Sequence, residues 1–322
     1  MNRREFSVVA LAALAASQLP YSRAAYAQAI GTLKMMIPAN PGGGWDQTGR
    51  ALAAAMQSAK VAGSVQFENK GGAAGTLGLA QFINAAKGDP NALMMGGMVM
   101  VGGILLNKSA VDLAMVTPVA RLTSEYEIVV VPAASPHKSM ADLMKAYKAD
   151  PGKVSWNGGS AGGTDHILAG LIVRADGGDP SKVNYIAAKG GGDQVANIIG
   201  GHVTAGVAGI GEFAEHVKGG RMRALAVSTP ERKEGIPTLK EQCLDVVLGN
   251  WRSVFGGPGL STVQRDGLVA AVKAGTDSAA WKDTLAKYGW DAAWLGGDAF
   301  KTFLDEDTKR VAAVLDALGL RK

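Results

Sequence analysis

Short apolar runs alternate with segments of helical periodicity along most of this chain. The apolar runs over 33–38, 64–68, 154–157 and 183–187 predict strands, and a helical pattern begins soon after each one. Such alternation is typical of an α/β fold with mainly parallel strands. A glycine-rich turn separates each of these four runs from the helix that follows it.

The four turns share a chemistry that suits a negatively charged ligand. They lie at 42–44, 71–75, 158–163 and 190–192. A glycine turn leaves backbone N–H groups uncovered, and the N-terminus of the following helix adds the positive end of its dipole. Two turns come early in the chain and two near its middle, so we expect two lobes that close on an anion.

A long extended segment over 117–132 lies between the two pairs of turns. It is much longer than an ordinary strand of about five or six residues, so it can cross from one lobe to the other. A second extended segment, over 221–229, can cross back. The pattern therefore predicts a hinged two-lobed α/β receptor with two hinge-crossing strands. Lobe 1 comprises 30–122 plus 228–322, and lobe 2 comprises 123–227.

Residues 1–29 have the pattern of an export signal peptide. Arg3 and Arg4 precede a weakly apolar run over 7–16, and small residues at 25, 27 and 29 provide a cleavage site. The run is too short to span a bilayer. The twin-arginine pattern is matched only in part, so the Sec and twin-arginine export routes both stay open.

One further apolar stretch, over 92–106, is fifteen residues long and contains four glycines. This composition favours a buried strand followed by a short helix over a membrane span.

Composition argues against several other classes of protein. The net charge is +5, and the chain has no block of five or six basic residues, so no nucleic acid partner is expected. Cys243 is the only cysteine, which excludes an internal disulfide. The four histidines lie at no metal-ligand spacing, and no glycine turn matches a nucleotide-binding motif. We therefore expect no metal and no cofactor.

Three motifs carry a resemblance to a known family. They are PGGGWD at 41–46 with Arg50, NKGGAAGT at 69–76 and GGSAGGTDH at 158–166. In this order they resemble the extracytoplasmic solute receptors of tripartite tricarboxylate transporters, the Bug family. The resemblance covers nearly all of the chain that follows the signal segment.

The resemblance implies a periplasmic location and a type II-like periplasmic binding protein fold without catalysis. It also implies delivery of a small organic acid to a two-component membrane permease, with a sensor kinase as a further candidate partner. The version of the first loop that contains Trp45 is similar to receptors for citrate-like tricarboxylates.

A carboxylate that leaves water needs replacement hydrogen-bond donors, because an unpaired charge in a cleft is costly. We expect these donors at the four turns and in the side chains beside them. The expected ligand-binding residues are Gly43, Gly44, Trp45, Asp46, Ala73, Ala74, Gly75, Thr76, Ser160, Gly162, Gly163, Thr164, Asp165, His166, Lys189, Gly190 and Gly191.

Several of these side chains allow a second interpretation. The hydroxyls of Thr76, Ser160 and Thr164 either contact the ligand or cap their own helices, and the two roles can coexist. Asp46 either lies at the ligand or caps its helix, and Arg50, four residues later, is expected to pair with it.

The remaining side chains also have alternatives. Lys189 is the best-placed positive charge, although it can equally be a solvated lysine. His166 can donate to an anion or serve as a local hydrogen-bond partner, and Trp45 can line the cleft or pack between elements. Glu125 and Tyr126, in the first crossing segment, are expected to be hinge structure.

The strongest alternative function is that of a secreted serine hydrolase. The sequence from 158 to 162 matches G-x-S-x-G, with Ser160 as the nucleophile, between a predicted strand and a predicted helix. Asp193 followed by His202 or His216 would supply the chain order of a triad. The other three glycine turns would then have no explanation, and no upstream HGGG-like motif is present. We therefore expect no catalytic residue.

Overall fold

The computed structural model describes residues 30–321, so the export signal predicted over 1–29 lies outside the described residues. Ten strands and ten α-helices alternate along the described part of the chain. The strands are β1 (Ile30–Ile37), β2 (Ala62–Asn69), β3 (Ala92–Gly97), β4 (Thr117–Pro132), β5 (Ser155–Gly158), β6 (Asn184–Ala187), β7 (Ala205–Gly209), β8 (Met222–Val227), β9 (Gly249–Gly256) and β10 (Asp291–Gly296). The helices are α1 (Gly44–Ser58), α2 (Thr76–Ala85), α3 (Met98–Leu106), α4 (Met140–Ala149), α5 (Thr164–Ala175), α6 (Gly191–Ile199), α7 (Ile210–Lys218), α8 (Thr262–Asp277), α9 (Ala279–Tyr288) and α10 (Gly297–Ala317).

The strands form two sheets that share β4. The first sheet has the order β2-β1-β3-β9-β4, and β10 also pairs with the first half of β4. The second sheet has the order β4-β7-β5-β6, and β8 also pairs with the second half of β4. The long segment predicted over 117–132 is therefore a single strand of 16 residues that belongs to both sheets.

The return crossing comes slightly later in the chain than we expected. The segment over 221–229 contains β8, which stays in the second sheet, paired with Ile128–Pro132. At its end the N–H of Ser228 donates to the carbonyl of Glu127 at 2.9 Å, and the N–H of Leu248 donates to the carbonyl of Ser228 at 3.3 Å. The chain then enters β9, so the stretch between β8 and β9 makes the return.

The strands of the four predicted units are parallel, as expected. β1 pairs in parallel with β2 and β3, and β5 pairs in parallel with β6 and β7. Strands β4, β8, β9 and β10 form antiparallel pairs. Because the carboxyl ends of parallel strands meet at one edge of a sheet, the turns that follow them lie side by side.

Helix packing holds the glycine turns in place. In α1 the buried residues recur every three or four positions, as at Thr48, Leu52 and Met56, so one face packs against the sheet. The stretch over 92–106 forms a buried strand and a short helix, β3 and α3, as predicted. At the end of α10, buried Leu318 packs against Gly170 of α5, which ties the last helix to the second sheet. Among the described residues, no helix is long and apolar enough to cross a membrane.

Candidate functional site

All four glycine turns meet at one cavity between the two sheets. Its volume is about 590 Å³. The turns at 42–44 and 71–75 contribute its wall on the side of the first sheet, and those at 158–163 and 190–192 contribute the opposite wall. Another cavity of about 380 Å³ lies over β1, β2 and α2, but no glycine turn reaches it. The larger cavity is therefore the candidate binding site.

Most of the residues predicted to bind the ligand line this cavity. They are Gly43, Gly44, Trp45, Ala73, Ala74, Gly75, Ser160, Gly163, Thr164, Asp165, Lys189, Gly190 and Gly191. Four others lie behind the wall, namely Asp46, Thr76, Gly162 and His166.

Asp46 fixes the first turn instead of facing the cavity. Its carboxylate accepts hydrogen bonds from the N–H of Gly42, the Nε of Arg50 and the Nδ2 of Asn69, each at 3.0 Å. The pair with Arg50 is the one the sequence predicted. Burial opposes ionisation of Asp46, but these donors hold the pKa of its carboxyl below the ordinary value of 3.8. Asp46 therefore stays charged and clamps the turn to β2.

The second turn packs tightly against Trp45. Gly75 has a φ of +90°, and a Cβ there would come within 2.7 Å of the indole ring. Trp45 is buried and also lines the cavity, so both of its predicted roles are present together. Thr76 uses its hydroxyl locally, donating to the carbonyl of Ala73 at 2.9 Å.

Two side chains of α5 stabilise the third turn from within. Asp165 accepts the N–H of Gly159 at 2.6 Å, and the Nδ1 of His166 accepts the N–H of Gly162 at 3.1 Å. Burial lowers the pKa of His166 to about 4, so its imidazole is neutral near pH 7. His166 is therefore a local hydrogen-bond acceptor, which agrees with the second interpretation of this residue.

Ser160 and Thr164 face the cavity from the third turn and the start of α5. Thr164 is fully buried, and within the described residues its Oγ1 has no hydrogen-bond partner. A buried hydroxyl without a partner is costly, so a ligand atom is a natural partner for it.

The fourth turn is held by Asp193, whose carboxylate accepts the N–H of Lys189 at 3.0 Å. From the opposite wall, the Nδ2 of Asn40 donates to the carbonyl of Lys189 at 3.3 Å. The side chain of Lys189 is exposed at the rim of the cavity. No carboxylate of the described residues lies within salt-bridge distance of it.

Sequence reasoning missed an ionic cluster at the base of the cavity. Arg252 of β9 is buried there and donates through Nη2 to Oε1 of Glu125. Its Nη1 donates to the hydroxyl of Thr48 at 3.0 Å, and its guanidinium lies 4.9 Å from the ring centroid of Trp290. Glu125, expected to be hinge structure, is thus the ion-pair partner of a buried arginine.

Three carboxyls line the cavity itself, those of Glu127, Asp165 and Glu212. Burial raises the pKa of Asp165 to about 7 and that of Glu127 well above 4.5, and the neighbouring carboxylates add to both shifts. Burial also raises the pKa of Glu212, against the attraction of Arg252. One signal was present in the sequence: Glu125 and Glu127 lie two residues apart in a strand and therefore share a face.

Comparison with known proteins agrees with this architecture. The family model described as "Tripartite tricarboxylate transporter family receptor" matches residues 49–320. A relative from Cupriavidus necator, "UPF0065 protein in gbd 5'region", is 27% identical over 332 residues, covering 100% of this chain and 99% of that protein.

Solved structures share the fold. The periplasmic binding protein BugD superposes with a TM-score of 0.80 at 20% identity, covering 90% of this chain and 98% of BugD. MatC from Rhodopseudomonas palustris, with bound malate, superposes with a TM-score of 0.75 at 21% identity, covering 89% of this chain and 99% of MatC. The two-lobed periplasmic binding protein fold expected from the sequence is thereby confirmed.

Proposed function

Because the chain belongs to the tripartite tricarboxylate transporter receptor family, we propose that it captures an organic carboxylate between two lobes and delivers it to a tripartite tricarboxylate transporter. The observation that carries this proposal is the convergence of four glycine turns on one cavity. Uncovered N–H groups and helix N-termini at such turns are suited to hold a carboxylate without a dedicated cationic side chain.

The family consists of binding receptors and not enzymes. The proposed function therefore gives Ser160 a place in the wall of a binding site and no nucleophilic role, in contrast to a serine hydrolase. The G-x-S-x-G match at the third turn is one of four similar turns around the same cavity.

The proposed function also implies a cellular location and a division of the chain into two lobes. We take the predicted export signal over 1–29 to direct the protein to the periplasm, where a two-component membrane permease would receive the ligand. Lobe 1 would comprise 30–122 plus 228–322 and lobe 2 would comprise 123–227, with β4 as the shared hinge strand.

MatC is described with bound malate, which makes malate a candidate ligand beside citrate.

The test is a thermal-shift and calorimetric screen of the purified protein against mono-, di- and tricarboxylates. A ligand at 100 times its Kd stabilises the folded state by about 2.7 kcal/mol, which raises Tm measurably. Absence of both a Tm shift and a binding heat across the whole panel would contradict the proposed function.

A further inference from the structure

Glu127 is a fully buried carboxyl in the wall of the binding cavity. Within the described residues, neither of its oxygens has a hydrogen-bond partner. Its backbone is fixed in β4, because its N–H donates to the hydroxyl of Ser228 at 2.9 Å. Burial of an acidic group without a partner is costly, so its retention at this place calls for an explanation.

The surroundings of Glu127 are acidic. Glu125 lies on the same face of β4, and Asp165 and Glu212 line the cavity nearby, close enough for all three to act on the Glu127 carboxyl. Arg252 is the only buried cation at the base among the described residues, and its guanidinium contacts Glu125 and Thr48 and lies 3.9 Å from Oε1 of Glu212.

Two neutral oxygens beside this acidic cluster also lack hydrogen-bond donors among the described residues. Asn250 lines the cavity, and its Nδ2 donates to Oε1 of Glu125 at 3.4 Å. Its buried Oδ1 has no partner within the described residues, and neither has the Oγ1 of Thr164. The base of the cavity thus offers acceptors, whereas the glycine turns offer N–H donors.

A ligand that carries only carboxylates fits this base poorly. A ligand carboxylate beside Glu127 and Glu212 would be repelled whenever either carboxyl is ionised, and it would raise their pKa values further. A primary ammonium, by contrast, has three N–H donors and a positive charge, and it would satisfy both Glu127 and Asn250.

We propose that the ligand is an amino-substituted carboxylate, whose ammonium group binds Glu127 and Asn250 while its carboxylate binds the glycine turns. The inference rests on the proposed function and narrows its substrate class. It places a zwitterion such as an acidic amino acid above citrate or malate. A cation beside Glu127 would also lower the raised pKa of this carboxyl, so binding would favour release of its proton.

The test is calorimetry with two matched ligand series. The four-carbon series is L-aspartate, L-malate and succinate, and the five-carbon series is L-glutamate, 2-hydroxyglutarate and glutarate. Within each series only the substituent at C2 changes, from ammonium to hydroxyl to hydrogen. In at least one series we expect the amino acid to bind about tenfold or more tightly than its unsubstituted analogue, as charge-assisted hydrogen bonds imply. Titrations in buffers of different ionisation enthalpy would report the released proton.

The variant Glu127→Gln keeps the shape of the side chain and removes its charge. We expect the preference for the amino acid to fall to about threefold or less, while affinity for the unsubstituted acid is kept or improved. Glu215→Gln, the same change at an exposed position of α7 outside the cavity, is the matched control and should leave the preference intact.

Failure of this inference and failure of the proposed function would give different results. Equal or tighter binding of succinate and glutarate by the unaltered protein would overturn this inference and leave the proposed function standing. No binding by any of the six acids or by the wider carboxylate panel would contradict the proposed function, and the inference with it. The comparison of the six acids on the unaltered protein tests the preference for an amino-substituted carboxylate even if Glu127→Gln fails to fold.

Discussion

The side-chain amide of Asn40 donates to the backbone carbonyl of Lys189 at 3.3 Å, and so joins the first and fourth glycine turns across the binding cavity. Asn40 follows β1 of the first sheet, and Lys189 precedes α6 beside the second sheet. This bond joins opposite walls without passing through a ligand. It is therefore expected to favour the closed arrangement of the two lobes.

The first prediction concerns this bond. Asn40→Ala is expected to weaken binding of the best carboxylate from the screen by about two- to tenfold, because a typical hydrogen bond contributes about 0.5–1.5 kcal/mol. Calorimetry gives the affinity and stopped-flow gives the dissociation rate, which should rise. Asn84→Ala, which removes an exposed side-chain bond within α2, is the control. Identical affinities for both variants would show that the bond has no effect on closure.

The second prediction concerns the packing of Arg252 beneath the first turn. A Cβ added at Gly44 would overlap the buried guanidinium, whereas one added at Gly43 would meet no atom within 4 Å. Gly44→Ala should therefore lower the free energy of unfolding by about 1–3 kcal/mol, the usual cost of overpacking. Gly43→Ala should change it by much less. Urea unfolding measures both, and equal effects would contradict the packing explanation.

The third prediction concerns the hydroxyls of the third turn. Thr164→Val removes a buried hydroxyl that has no partner in the described structure, so stability should be kept while ligand affinity falls. Ser160→Ala should likewise weaken binding without unfolding the protein. Thr76→Val provides the contrast, since it removes the bond to Ala73 and should lower stability by about 1 kcal/mol. Unchanged affinity in both cavity variants would place the ligand contacts elsewhere.

The fourth prediction is a pH dependence of the ligand-free protein. Burial raises the pKa of Glu125 and of Asp165 to about 7, from ordinary values of 4.5 and 3.8. It also raises the pKa of Glu127 and Glu212. A carboxyl with a higher pKa in the folded state binds more protons when folded, so the free energy of unfolding falls as pH rises through this window. We expect stability to decline from about pH 5 to pH 7.

His166 acts in the opposite direction. Burial lowers its pKa from 6.5 to about 4, so the unfolded state binds more protons between these values and stability rises with pH there. His216, whose pKa burial also lowers, acts in the same direction, so two histidines oppose four buried carboxyls and the net slope should remain negative. Urea unfolding in steps of pH measures the slope, and Glu127→Gln should make it shallower. A slope that rises from pH 5 to pH 7 in the unaltered protein would contradict the raised carboxyl pKa values.

Much of the architecture was predictable because its signals are local. Each strand–turn–helix unit lies within about thirty residues, and its glycines, its apolar run and its helical period are adjacent in the chain. The length of the segment over 117–132 predicted one strand shared by two sheets, and β4 is that strand. The return crossing was placed too early because β8 is extended like a crossing strand, and only its pairing with β4 keeps it in the second sheet.

Local interactions also explain which of the predicted site residues turned away from the cavity. Asp46 and His166 each lie four residues after a turn N–H that needs an acceptor, and each accepts that N–H. Such a bond costs little chain entropy, so it competes well with a ligand contact. The sequence allowed both roles, and the packing around each turn selected one.

The sequence by itself determined the four glycine turns, the shared strand and the family, because those features depend on neighbouring residues. Only the tertiary structure decided the character of the base of the cavity. Glu127 of β4, Glu212 of α7 and Arg252 of β9 are far apart in the chain and meet because β4 joins the two sheets. No local pattern indicates that a buried arginine is already engaged by Glu125, or that Glu127 has no partner within the part of the chain that the structure describes. The pairing of charged side chains at the base of the cavity depends on distances between strands, and these distances cannot be read from the sequence.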